Sequence, residues 1–71
     1  MKRVSAAEYV RNFSALADAA LMEPFVVTRN GRDRLVVASV EQYKHILSMA
    51  VLATNDPAET ERLGKLLEQI A

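Results

Sequence analysis

A small α+β fold is predicted by three observations on this 71-residue chain. An Asn30-Gly31 dipeptide separates two apolar runs, Phe25-Val26-Val27-Thr28 and Leu35-Val36-Val37-Ala38. Helix-capping signatures lie on both sides of it, and apolar residues recur at helical spacing before and after it. Together they predict a small β-sheet, made of an N-terminal edge strand and a β-hairpin, packed on helices and followed by a C-terminal amphipathic helix.

Lys2-Arg3-Val4 is long enough only for an edge strand. Ser5-Ala6-Ala7-Glu8 is a capping box, in which the Ser5 hydroxyl accepts from the Glu8 amide and starts a helix. Ala6, Tyr9, Val10 and Phe13 fall on one stripe, continued by Leu16, Ala17, Ala20 and Leu21 after a bend near Asn12-Phe13-Ser14. Pro24 stops the helical run and admits the hairpin. Beyond it, Ser39-Val40-Glu41-Gln42 opens a further helix, whose Tyr43, Ile46, Leu47, Ala50 and Val51 share a face expected to pack on the sheet. At the break Thr54-Asn55-Asp56-Pro57, Asp56 suits the N-cap and Pro57 the first helical position. Leu63, Leu66, Leu67 and Ile70 form the stripe of the last helix.

The turn fixes the hairpin. A two-residue type I′ loop needs positive φ at both positions, which Asn tolerates and Gly adopts freely. With Asn30 and Gly31 as that loop, Arg29 faces Arg32, Val27 faces Arg34 and Phe25 faces Val36. Side-chain alternation then places these six on one side, with Val26, Thr28, Asp33, Leu35 and Val37 on the other. All three arginines project together near the tip. Like charges opposite one another destabilise a ladder, so they are either splayed in water or used on something anionic.

Composition narrows the function classes. A chain of 71 residues with 51% hydrophobic side chains is marginal as a single core, which favours a homodimer with shared apolar burial. The absence of cysteine excludes a disulfide framework and a thiolate metal site and fits a cytoplasmic protein. No apolar run approaches the ~20 residues that span a bilayer, so no membrane partner is expected. One histidine, His45, and scattered carboxylates offer neither a metal site nor an acid–base constellation. No enzyme and no cofactor are expected. The zero net charge divides into +2 over residues 1 to 47 and −2 over residues 48 to 71, which suits two different partners.

Read together, the segments Val4-Ser5-Ala6-Ala7-Glu8, Arg11-Asn12-Phe13-Ser14, Pro24-Phe25-Val26-Val27-Thr28-Arg29-Asn30-Gly31 and Leu35-Val36-Val37-Ala38-Ser39-Val40-Glu41-Gln42-Tyr43 resemble the Phd/YefM antitoxins of bacterial type II toxin–antitoxin systems. The resemblance covers residues 1 to about 47; Asp56-Pro57-Ala58 and the following Arg62-Leu63 are similar to the YefM branch more loosely. It implies a Phd/YefM-like fold with a dimerisation and DNA-binding domain at 1-53 and a toxin-binding segment at 54-71. The implied function is binding operator DNA to repress its own operon and neutralising a cognate toxin, a RelE/YoeB-like ribonuclease by family analogy.

Carried over, Arg11 matches the arginine of the family's first helix and Arg29 that of its hairpin, with Asn12, Ser14, Asn30, Arg32 and Arg34 as companions on DNA. A guanidinium can bond bidentately to phosphate or to a guanine edge, so the physics agrees. Leu63, Leu66, Leu67 and Ile70, with Glu59 and Arg62, are the expected toxin contacts. Each feature has a plainer reading: solvated arginines, serines that only cap, and a last helix folded back on its own dimer. The rival functions are a dimeric protein-interaction scaffold without a DNA role and a stand-alone transcriptional repressor.

Overall fold

The computed structural model describes residues 1 to 70. Among them the chain forms a three-stranded sheet and four helices, a small α+β arrangement. In order these are β1 (Lys2–Ser5), α1 (Ala6–Arg11), α2 (Phe13–Ala20), β2 (Phe25–Arg29), β3 (Arg32–Val37), α3 (Val40–Ala53) and α4 (Pro57–Ile70). Two compact units divide between Ser39 and Val40. This division is structural and distinct from the functional one expected at 53/54.

In the first unit the sheet order is β1-β2-β3, with β1 parallel to β2 and β3 antiparallel to it. Val4 lies beside Val27 and Lys2 beside Phe25, so Val4, Phe25 and Val27 share one face. Leu16 and Ala20 of α2 complete the core there, with Tyr9, Ala6 and Val37 packed at its margin. Phe25 and Val4 are each 2% exposed, and burying a side chain of either size contributes about 1.5–3 kcal/mol. Tyr9 meets Phe25 edge-on at 5.9 Å and Phe13 at 5.5 Å, a line of rings running from core to surface.

The bend between α1 and α2 falls at Asn12, whose φ of −116° and ψ of 34° are non-helical. Hydrogen bonds from the Asn12 amide to the Glu8 carbonyl (2.9 Å) and from Leu16 to Asn12 (3.0 Å) carry the chain through it. The expected apolar stripe is too wide. Leu16 and Ala20 are buried and Ala17 half-buried, but Val10, Phe13 and Leu21 are exposed, because a three-stranded sheet covers only a narrow line of the helices.

The second unit is a helical hairpin. Asp56 accepts from the Ala58 amide at 3.0 Å, Thr54 Oγ1 accepts from the Asp56 amide at 3.2 Å, and Pro57 opens α4. Helix α3 has α4 as a contacting neighbour. Leu47 is its buried residue; Ala50 and Val51 are half-buried, whereas Tyr43 and Ile46, placed by sequence on the packing face, are exposed. Among the described residues no helix is long and apolar enough to cross a membrane.

Candidate nucleic-acid interface

The hairpin tip has the expected loop: Asn30 and Gly31 have φ of 53° and 74°, the positive pair of a type I′ turn. Arg29 and Arg32 stand opposite each other across it, both exposed. They extend the face that carries Phe25 and Val27, so the two guanidiniums leave the sheet on the side covered by α1 and α2.

Further from the tip the expected register fails. Thr28 faces Asp33, but Val27 faces Leu35, Val26 faces Val36 and Phe25 faces Val37, with an irregularity between Val27 and Thr28. Arg34 is the extra residue of a β-bulge and does not stand opposite Val27 as expected. The bulge returns Leu35 and Val37 to the core-side face and sends Val36 to the other, reversing the assignment made for all three. The physical reason is burial. A regular ladder would put Val36 and not Val37 over the core, whereas the bulge lets Val37 pack against Phe25, Val27 and their neighbours. The cluster of three is therefore a facing pair, Arg29 and Arg32, with Arg34 displaced beside it.

On the opposite face Arg3 and Asp33 form a bidentate ion pair, Nε to Oδ1 and Nη2 to Oδ2, both at 3.1 Å. Parallel pairing places Arg3 beside Val26, so its side chain reaches over β2 to β3. The hydrogen bonds from Arg3 hold the Asp33 carboxyl below its ordinary range and raise the Arg3 guanidinium. Asp33 is the only acidic residue of the hairpin, so none remains for the tip arginines. Arg11, Arg29, Arg32 and Arg34 make no ion pair among the described residues. This role for Arg3, which reads in the sequence only as part of a short edge strand, depends on a parallel β1–β2 pairing that no local pattern announces.

Thr28, Arg29, Asn30 and Gly31 line an open recess of about 360 Å³ with Ser5, Ala6 and Ala7. The neighbour of the tip is thus the start of α1, where Ser5 Oγ accepts from the Glu8 amide at 3.1 Å. Arg11 ends this six-residue helix, about 9 Å along its axis from the start. Asn12 and Ser14 follow it, exposed, at the bend and in the first turn of α2. Asn12 makes no side-chain cap to α2. The expected DNA-contacting set therefore falls into two groups: Arg29, Asn30 and Arg32 at the tip, and Arg11, Asn12 and Ser14 at the α1–α2 corner. Ser5, Ala6 and Ala7 join the first group unforeseen.

The expected toxin-contacting residues lie on α4. Leu63, Leu66, Leu67 and Ile70 are half-buried in the helical hairpin, and Arg62 donates to Glu59 at 2.8 Å. Lys65 pairs with Glu61 on the outer side. The leucine stripe is therefore partly covered and not free along its length.

No protein-family model, curated protein or solved structure matches the chain.

Proposed function

We propose that this chain is a DNA-binding autoregulator of the Phd/YefM antitoxin type, acting as a homodimer, with α4 and its surroundings serving a cognate toxin. The observation that carries the DNA reading is the Arg29–Arg32 pair at an exposed two-residue tip whose one acidic neighbour is bonded to Arg3 on the other face. Two such arginines within a ladder cost stability unless an anion lies between or beyond them. Phosphate oxygens meet that need, and a guanine edge accepts a guanidinium bidentately. Exposed Val10, Phe13 and Leu21 in so small a unit support burial against a second copy, which would present two tips to a palindromic operator.

The test is binding of the full chain to the DNA upstream of its own gene, followed as salt is raised. Log K should fall linearly with log salt, and Arg29→Ala or Arg32→Ala should each flatten the slope by about 2 per dimer, as loss of one phosphate contact from each of two tips does. Arg62→Ala should leave it unchanged. Salt-independent or absent binding overturns the DNA reading and favours the scaffold. For the antitoxin part, co-expression with a RelE/YoeB-like ribonuclease encoded next to this gene should relieve toxicity. The half-buried leucine stripe favours a second reading, a stand-alone repressor, in which deleting residues 57 to 71 changes stability and releases no toxicity.

A further inference from the structure

We propose that Asn30 is a self-modifying site, at which deamidation turns the hairpin tip from a neutral amide between arginines into a carboxylate. The reaction needs a backbone nitrogen free to attack the side-chain amide of the preceding asparagine. Gly31 supplies it: its amide has no hydrogen-bond partner among the described residues, and nothing lies within 4 Å of the place a Cβ would occupy. The Gly31 nitrogen bonds to Cγ of Asn30, the side-chain nitrogen leaves as ammonia, and water opens the cyclic imide to aspartate or isoaspartate. The net change is one amide and one water converted to one carboxylate and one ammonium ion.

The surroundings favour both the reacting anion and the product. Deprotonated amide nitrogen is stabilised by nearby cations, and Arg29 and Arg32 flank the loop while Asp33 is held by Arg3 on the opposite face. Ring closure needs rotation of Asn30 that brings Cγ to the Gly31 nitrogen, and a two-residue loop exposed on both flanks leaves it free to occur. The chain contains two internal controls. Asn55 precedes Asp56, whose amide is engaged by Thr54 Oγ1 at 3.2 Å, and Asn12 precedes the bulky Phe13. Neither sits beside an open glycine nitrogen.

The consequence rests on the proposed DNA reading. A carboxylate at position 30 pairs with Arg29 or Arg32 in competition with phosphate, and isoaspartate lengthens the backbone and breaks the turn. The modified tip releases nucleic acid, and the regulator acquires a clock set by its own chemistry.

The experiment incubates the intact chain in mildly alkaline buffer and maps its peptides by mass and by isoaspartate detection over time. Asn30 should convert well ahead of Asn12 and Asn55, and the signal should vanish in Asn30→Gly, since Gly-Gly also suits a type I′ turn. Conversion of Asn30 no faster than of the other two overturns the proposal. Independently, Asn30→Asp should flatten the salt slope of DNA binding by about 2 per dimer, one contact at each tip. Deamidation without any DNA binding by the unmodified chain would leave the modification standing and remove the DNA reading; arginine-dependent DNA binding with an inert Asn30 would do the reverse.

Discussion

Arg3 and Asp33, 30 positions apart, meet in a two-bond clamp that passes over the central strand and fixes the charge of the hairpin. Asp33 directly follows Arg32 and precedes Arg34. Strand alternation puts it on the face of Val26 and Thr28, and the Arg3 clamp holds its carboxylate there, so Arg29 and Arg32 stay uncompensated on the face of Phe25 and Val27. The clamp is exposed at both ends, so its effect lies in where charge sits more than in stability.

Arg3→Ala should therefore weaken DNA binding although Arg3 is absent from the tip, and Arg3→Ala combined with Asp33→Asn should restore much of the loss. A double variant as weak as the single one would instead make Arg3 a direct contact. The carboxyl itself reports the clamp. Its pKa is lowered by the Arg3 hydrogen bonds, so the clamp's contribution is complete above the ordinary carboxylate value of 3.8 and disappears as pH falls through the lower folded value. An NMR titration should find the Asp33 carboxyl below 3.8, moving back toward it in Arg3→Ala.

Stability of the first unit should concentrate at its small core. Phe25→Ala should cost about 3–5 kcal/mol and Leu16→Ala about 2–5 kcal/mol, enough to unfold a unit this small. Val10→Ser, at a side chain 78% exposed in the single chain, should lower the urea midpoint in a concentration-dependent way, as loss of an apolar contact with the proposed second copy does. A midpoint unchanged at every protein concentration would remove Val10 from that interface.

What the sequence announces is local. The Ser5 cap, the Asn30-Gly31 loop and the Asp56-Pro57 helix start each depend on residues within a few positions, and each appears as expected. The non-local features are less legible. Parallel pairing of β1 with β2 brings Ser5 beside Thr28 and lets Arg3 reach Asp33, and no periodicity encodes either. The bulge at Arg34 is settled by competition for the core between Val36 and Val37, two adjacent valines that a pattern cannot rank. Likewise the leucines of α4 read as a stripe seeking any surface; the helical hairpin supplies α3.

The Asp56 cap should govern α4. Its carboxylate accepts from the Ala58 amide at 3.0 Å, and the Thr60 hydroxyl donates to its carbonyl at 3.1 Å. Asp56→Ala should lower stability by about 1 kcal/mol and fray the first turn, seen as faster amide exchange at Ala58 and Glu59 than at Leu66. Uniform exchange along α4 before and after substitution would mean that packing with α3, and not the cap, sets its stability.

The bulge makes the sharpest prediction about register. Because Arg34 is the extra residue, deleting it should leave every observed pair in place: Arg29 with Arg32, Thr28 with Asp33, and Val27 with Leu35. The shortened hairpin should fold with the same cross-strand contacts by NMR and Val37 still packed on Phe25. Deleting Val36 has the opposite effect. It either turns Val37 away from the core or absorbs the bulge, which keeps Val37 opposite Phe25 but sets Arg34 opposite Val27 on the core-side face and Leu35 opposite Val26; either way it should destabilise the unit more than loss of Arg34. If the two deletions cost the same, the bulge does not hold the register, and the separation of Arg34 from the Arg29–Arg32 pair loses its structural basis.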